Sequence, residues 1–348
     1  MTIELNYLSM AGTASLSTLQ VGKRIERERL GRVVEEAFMQ PGSTYTITSS
    51  VLDYLIEEPA SVLQYEICDD GIEYQLDFQP PEELPEDAVV SEQSRLKDTF
   101  LRASIATPPN LEAVMSRLRE EDDVIIGVDT NVLWDCTLTS FLLEEIYAKP
   151  FPNWILIAVP RLVMAETENA ANAKIRGGGH PRVGWPSYKG RVGHRALQEA
   201  MDIRRADPNR PGLAMMSIGD ISEDASEFGS DNWRIDALIR DQFKKFLEDI
   251  NFHKGTYFLS QDRVNVMMSG TEGTQGLYLQ KPEMSEFRSG TISPSQLTRL
   301  MTELCLQFGE ISIERTDGDR SMTLEIFWPG KQVEDWRNGR MNVCAVTP

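Results

Sequence analysis

Cysteine and histidine are scarce in this chain, and the few that occur are dispersed. The 348 residues include 4 cysteines and 3 histidines. No CxxC pair and no Cys/His cluster is present, which argues against a structural zinc site and favours a reducing compartment. A GxSxG motif is also missing, so the sequence offers no candidate for a Ser-His-Asp or Cys-His catalytic arrangement.

Positive charge and long apolar runs are also in short supply. Lysine and arginine total 35 against 54 acidic residues, for a net charge of −19. This balance argues against a general nucleic-acid coat or a membrane-surface protein, although a nucleic-acid enzyme with locally concentrated basic residues stays possible. The longest apolar stretch, NWILIAVPRLVMA, is too short and interrupted to cross a bilayer, and the N-terminus does not resemble a signal peptide. We therefore expect a cytoplasmic protein with no membrane partner.

Proline and acidic residues mark the clearest linker, FQPPEELPEDAVVSEQ. A chain of this length is expected to hold more than one domain. We predict four regions. They are an N-terminal α+β region at 1–79, an acidic, proline-containing linker with helices at 80–121, an α/β domain at 122–282, and a C-terminal α+β module at 283–348 that contains a helix capped by Ser293. Any self-association or protein partner is assigned to the regions that flank the α/β domain.

From Val124 onward, strand patterns alternate with helix patterns. The predicted strands are VIIGVD, WILIAVP, GTYFLSQD and GLYLQKP, and the predicted helices are LTSFLLEEIYA, RLVMAETENAANAK and WRIDALIRDQFKKFLEDI. Such alternation predicts an α/β fold with a mostly parallel sheet and helices on both faces.

Four acidic residues occupy suggestive places in this pattern. Asp129 and Asp262 each follow a strand, Glu166 lies early in the helix after the second strand, and Asp236 lies beside the apolar stripe of a helix. Ligands of open α/β sheets collect beyond the carboxyl ends of the strands. Clustered carboxylates repel one another, and a divalent cation offsets that repulsion. We therefore predict a site for Mg²⁺ or Mn²⁺, which suits metal-assisted phosphodiester hydrolysis.

Simpler roles are open for the same residues. Asp129 and Asp262 could cap local turns, and Glu166 could be a solvated helix residue. Asp231 is the alternative to Asp236, because five helical residues turn the chain by about 500° and leave the two side chains about 140° apart. Asp231 follows Gly-Ser and reads better as a helix cap.

Basic residues are concentrated in one segment of this acidic chain, at about 171–212. Trp185 and Tyr188 are interleaved with the charges. Basic groups on a loop suit phosphate contacts and aromatic rings suit base stacking, although a solubilising or internally paired loop is the alternative. The predicted nucleic-acid contacts are Lys174, Arg176, Arg182, Lys189, Arg191, Arg195, Arg204 and Arg205.

The ordered set VIIGVDTNVL, VPRLVMAE, RIDALIR and YFLSQD resembles the PIN-domain nucleases over residues 124–282. Matching by motif assigns the family's four acids to Asp129, Glu166, Asp236 and Asp262. The residues assigned auxiliary roles are Thr130 and Asn131, which match those that usually follow the first acid, and Ser260, which stands where the family often has threonine. The interval from Glu166 to Asp236 is longer than in compact members, which suggests an insertion.

The resemblance implies a PIN-like fold and a metal-dependent nuclease, with single-stranded or structured RNA cut internally as the expected reaction. Nucleic acid is then the expected partner, with RNA favoured over DNA. The alternatives are a non-catalytic or partner-gated PIN-like binding module and a nuclease specific for DNA structures.

Overall fold

The computed structural model describes residues 23–26, 38–49, 60–79, 82, 85–143, 154–176, 183–205, 213–220, 232–318, 321–327 and 340–346. The chain divides into two compact units. Unit 1 comprises Met1–Ala106, Lys174–Tyr188 and Glu283–Pro348, and unit 2 comprises Thr107–Ala173 and Lys189–Pro282. No helix in the described ranges has both the length and the apolar character needed to cross a membrane.

Strands and helices are numbered here in chain order. The strands are β1 (Lys23–Glu26), β2 (Thr44–Ser49), β3 (Ala60–Cys68), β4 (Gly71–Gln79), β5 (Asp123–Val128), β6 (Trp154–Pro160), β7 (Leu213–Ile218), β8 (Thr256–Ser260), β9 (Gln275–Tyr278), β10 (Ser289–Ile292), β11 (Glu310–Arg315), β12 (Ser321–Phe327) and β13 (Arg340–Val346). The α-helices are α1 (Glu86–Arg102), α2 (Leu111–Arg119), α3 (Thr130–Trp134), α4 (Arg161–Asn172), α5 (Tyr188–Arg205), α6 (Asn232–Asp249), α7 (Arg263–Thr271) and α8 (Pro294–Phe308). A π-helix spans Leu138–Leu143 and a 3₁₀-helix spans Met284–Phe287.

Unit 2 is built on a five-stranded sheet in which all neighbouring strands are parallel, in the order β7-β6-β5-β8-β9. The central strand β5 carries Val124, Ile125 and Ile126, all buried. The predicted α/β class with a parallel sheet is confirmed. The chain runs from β5 through β6 to β7 on one side and returns to β8 and β9 on the other, so β5 and β8 flank the point where the winding reverses. Ligands of such sheets bind beyond the carboxyl ends of the strands at this point.

The segment predicted as a basic insertion contains regular structure. Residues 188–205 form helix α5 within it. Residues 213–218, directly after it, form the edge strand β7, which was not predicted from the sequence. Helix α5 packs closely on α4. A Cβ atom at Gly193 would lie 2.3 Å from the Ala171 nitrogen and 2.6 Å from the Thr167 carbonyl oxygen, so the glycine permits this approach.

Unit 1 contains an eight-stranded antiparallel sheet in the order β1-β13-β12-β11-β2-β3-β4-β10. The regions predicted as separate, 1–79 and 283–348, therefore contribute strands to one sheet. The predicted linker region at 80–121 is also divided, because α1 belongs to unit 1 and α2 to unit 2.

The helices of unit 1 are joined by a buried ion pair. Arg102 on α1 donates from Nε to Glu303 Oε2 on α8 at 2.9 Å, and both side chains are almost fully buried. Helix α8 begins with a capping box at Ser293 and ends at Gly309, whose φ of 83° suits glycine. The predicted start of this helix at Ser293 is confirmed.

Close packing of α6 on β5 positions one helix end at the carboxyl edge of the sheet of unit 2. A Cβ atom at Gly127 in β5 would lie 2.6 Å from Cγ of Phe243 on α6, so the absence of a side chain at Gly127 lets the helix approach the strand. Asp236 lies two helical turns before Phe243. The helix antiparallel to the strands therefore brings Asp236 to the carboxyl end of β5.

We expect Gly127→Ala to lower the free energy of unfolding by about 1–3 kcal/mol, because the new methyl group overpacks the contact with the Phe243 ring. Gly270→Ala in α7 is the matched control, since a Cβ atom there would meet nothing within 4 Å. Alanine at position 270 should leave stability unchanged or raise it slightly through helix propensity. Urea unfolding checks both variants, and equal stability of the two proteins would contradict the packing argument.

Candidate active site at the carboxyl edge of the parallel sheet

Asp129 lies directly after β5 and is 3% exposed. Its Oδ2 accepts hydrogen bonds from Ser260 Oγ at 2.6 Å and from the amide nitrogens of Asn131 and Asn265, both at 3.0 Å. Its Oδ1 accepts from the Thr130 backbone nitrogen at 2.8 Å, so Asp129 also caps α3. The capping role considered from the sequence is therefore present, and the residues assigned auxiliary roles all contact this carboxylate or its neighbours.

Glu166 lies in the second turn of α4 and is half-buried. The hydroxyl of Thr130 donates a hydrogen bond to Glu166 Oε2. Thr130 thus touches two acids, through its backbone to Asp129 and through its side chain to Glu166. This contact ties the start of α3 to α4 at the carboxyl edge of the sheet and favours the ionised form of Glu166.

Asp236 on α6 is held by residues that the sequence analysis did not select. Buried Asn265 on α7 donates from its side-chain nitrogen to Asp129 Oδ2 at 3.0 Å, and it lies close enough to Asp236 to lower the pKa of that carboxyl. Arg240 donates from Nη1 to Asn265 Oδ1 and forms a two-point ion pair with Glu272 at 3.0 and 3.3 Å. Sequence spacing could have identified both residues, because Arg240 is one helical turn after Asp236 and Asn265 is three residues after Asp262.

Asp262 follows β8 and is exposed. Its Oδ1 accepts hydrogen bonds from the backbone nitrogens of Val264 at 2.7 Å and Asn265 at 3.4 Å, so it caps α7. Ser260 Oγ accepts a hydrogen bond from the Asp262 backbone nitrogen at 2.9 Å. The turn after β8 therefore joins Asp262 to Asp129 through one serine.

Burial and mutual repulsion disfavour negative charge at these acids. Burial is the main cause that raises the pKa of Glu166 to about 7, and the charges of Asp129 and Asp236 add to the effect. Burial likewise raises the pKa of Asp236 to about 6, with added repulsion from Asp129 and Asp262. The pKa of Asp129 is raised by burial in spite of its hydrogen bonds. These electrostatic interactions join all four predicted acids into one cluster.

The donor chemistry of this cluster suits a hard divalent cation, because carboxylate oxygens are the ligands that Mg²⁺ and Mn²⁺ prefer. Such a cation would also offset the repulsion that raises the three pKa values. Across the described residues, no three acidic, histidine or cysteine side chains form a ready-made ligand set. Protein donors hold the oxygens of Asp129 and Asp262 in this conformation.

The predicted nucleic-acid contacts fall into three groups. Lys174, Arg176 and Lys189 are exposed. Arg191 on α5 is 3% exposed, and Arg195 pairs with Glu199 at 2.7 Å with both side chains largely covered. These two arginines are turned inward because the segment is a packed helix rather than a loop, which argues against direct phosphate contacts from them.

The side chains of four predicted residues lie outside the described part of the structure. Arg182 and the alternative acid Asp231 lie outside the described residues, as do the side chains of Arg204 and Arg205.

The comparisons with known proteins assign no function to the site. No family model and no curated protein matches the sequence. The solved structure of a domain of a functionally unknown protein from Methanocaldococcus jannaschii is similar, with 23% identity and a TM-score of 0.30. The similarity covers 47% of this chain and 94% of that one.

The raised pKa of Glu166 predicts a pH-dependent stability in metal-free protein. Between its usual value of 4.5 and about 7, the folded state holds the proton more tightly than the unfolded state, so the free energy of unfolding falls as pH rises through this window. We expect Glu166→Gln in EDTA to be more stable than the wild type at pH 8 by roughly 1–3 kcal/mol. The difference should disappear near pH 4.

Thermal denaturation at the two pH values measures this difference. Glu168→Gln on the exposed side of α4 is the control and should follow the wild type at both. A Glu166→Gln protein less stable than the wild type at pH 8 would contradict the electrostatic account.

Proposed function

We propose that unit 2 is a metal-dependent nuclease that cleaves RNA internally. The observation that carries the proposal is the cluster of Asp129, Glu166, Asp236 and Asp262 at the switch point of a parallel sheet, where burial and repulsion penalise the charges of the first three. Helix capping accounts for the positions of Asp129 and Asp262. It does not account for Glu166 and Asp236, whose charges are penalised by burial and repulsion. A site that receives cations and phosphate oxygens accounts for them.

The four acids would hold Mg²⁺ or Mn²⁺. When bound, the cation would supply Lewis-acid chemistry to the phosphodiester and to water, which is the usual basis of metal-assisted hydrolysis. Thr130, Ser260 and Asn265 would keep the carboxylates ionised and correctly oriented, because their hydrogen bonds favour the charged forms. Buried supporting donors of this kind typically affect metal affinity or activity by about 10–100-fold.

The choice of nuclease chemistry and of RNA rests on the resemblance of residues 124–282 to PIN-domain nucleases. The parallel sheet and the grouping of the four motif acids are consistent with a PIN-like fold. RNA is favoured over DNA on this resemblance alone. The exposed basic residues Lys174, Arg176 and Lys189 add positive charge to an otherwise acidic chain.

Cleavage of end-labelled single-stranded and duplex RNA and DNA in Mn²⁺, Mg²⁺ or EDTA tests the proposal. We expect wild-type protein to cut RNA internally with either metal and to be inactive in EDTA. Asp129→Asn should lower the rate by roughly 100-fold or more, since it removes a charged ligand from the centre of the cluster.

Asp241→Asn is the matched control for this experiment. Asp241 lies on α6 five residues after Asp236, about 140° around the helix, and pairs with Lys245 at 2.7 Å on the surface. Its substitution should leave cleavage unchanged. Full metal-dependent activity of Asp129→Asn would refute the assigned site, and the absence of cleavage by folded wild-type protein would favour a non-catalytic or partner-gated binding module.

A further inference from the structure

Helix α6 covers part of the core of unit 2, and beyond that part it carries the large aromatic side chain of Trp233. Trp233 lies three residues before Asp236, which places the two about 60° apart around the helix. Trp233 therefore lies near the stripe that continues through Asp236, Arg240 and Phe243 along the sheet-facing side of the helix. Arg240 and Phe243 are buried, whereas Trp233 is 67% exposed.

The exposure of Trp233 follows from its position. The N-terminal end of α6 lies at the carboxyl edge of the sheet, where the strands end and offer no further apolar surface. The exposed indole ring therefore lies beside the acidic cluster, where a ligand that covered it would gain strongly favourable burial.

An arginine accompanies this ring. The guanidinium carbon of Arg234 lies 5.3 Å from the centroid of the Trp233 ring, within the range of cation–π attraction. The pair thus combines an aromatic face and a positive charge, one helical turn from Asp236. A nucleotide offers the complementary groups, since its base stacks on aromatic rings and its phosphate binds guanidinium.

A second arginine–aromatic pair lies beside another acid, although its ring belongs to a half-buried residue. Arg263 directly follows Asp262, and its guanidinium carbon lies 5.1 Å from the centroid of the Tyr278 ring. Tyr278 is the last residue of β9 and pairs in register with Ser260 at the end of β8. Arginine–aromatic pairs therefore adjoin two of the four acids, on elements that meet at the same edge of the sheet.

We propose that Trp233 and Tyr278 stack on unpaired bases of a single-stranded nucleic acid, while Arg234 and Arg263 contact its phosphates. The inference rests on the proposed nuclease function and specifies its substrate class. In a duplex the base faces are already stacked on one another, so these rings select a single strand. The strand would cross the acidic cluster with a base held near Asp236 and another near Asp262.

The alternative occupant is a protein. Val264 and Met267 on α7 are also exposed and apolar, which would suit a protein contact. Nucleic acid is favoured because each aromatic ring is paired with an arginine and adjoins an acid of the cluster. The two occupants make different predictions for Trp233.

Fluorescence anisotropy of labelled oligonucleotides of about 12 nucleotides, in EDTA so that no cleavage occurs, tests the proposal. Single-stranded RNA and DNA and the corresponding duplexes are compared. We expect Trp233→Ala to weaken binding of the preferred single strand by roughly 5- to 100-fold and Tyr278→Ala by a similar factor. Trp233→Phe should retain binding within about threefold, because it keeps an aromatic face. Duplex binding should not change.

Trp154→Ala is the matched control. Trp154 is 39% exposed at the start of β6, on the opposite, amino-terminal edge of the sheet, and its removal should not affect binding. Unfolding temperatures of all variants establish that they remain folded.

Wild-type affinity for single strands in Trp233→Ala would overturn the proposal, as would an equal loss for duplexes or no single-strand binding by the wild type. A Trp233→Ala protein altered only in its sedimentation coefficient would assign this face to a protein contact and overturn it as well. If Trp233→Ala selectively loses single-strand binding but the wild type cleaves nothing in Mn²⁺, the nuclease function is contradicted and this inference stands. Cleavage by a Trp233→Ala protein whose affinity for single strands is unchanged would support the nuclease function and overturn this inference.

Discussion

Charge repulsion within a small, partly buried volume is the constraint on which the rest of unit 2 depends. Asp129, Glu166 and Asp236 come from three different elements, and repulsion from neighbouring acids raises the cost of ionising Glu166 and Asp236. Only a rigid scaffold can hold such groups together, because flexible segments would separate them. The all-parallel sheet supplies this scaffold, and its winding reverses where the acids gather.

The network around Asn265 explains how the protein tolerates this crowding. The side-chain amide of Asn265 donates to Asp129 and accepts from Arg240, and its proximity to Asp236 favours the ionised form of that acid. Arg240 is in turn neutralised by Glu272 at the end of α7. Arg240 is therefore close enough to favour the ionised form of Asp236. The hydrogen bonds of its guanidinium group go to Asn265 and Glu272. Glu166 and Asp236 are only partly buried at this edge of the sheet.

The features that could be predicted are those that a short stretch of sequence determines. Strand β5 is a run of buried apolar residues, and the position of Asp129 at its end follows directly. Strand β7 was missed because LAMMSI has few β-branched residues and lies at the sheet edge. The inward orientation of Arg191 depends on the packing of α5 against α4, and Asn265 acquires its role from two distant acids. The sheet of unit 1 pairs strands from opposite ends of the chain, which no local pattern contains.

Calorimetric titration of Mn²⁺ into metal-free protein tests most directly whether this cluster is a cation site. At pH 8 we predict saturable binding by the wild type and by Asp241→Asn, and its loss in Asp236→Asn. The wild type should bind more weakly at pH 5.5, since Glu166 with a pKa of about 7 is then protonated and competes with the metal. Absence of saturable binding by the folded wild type, or equal binding by Asp236→Asn, would contradict the account.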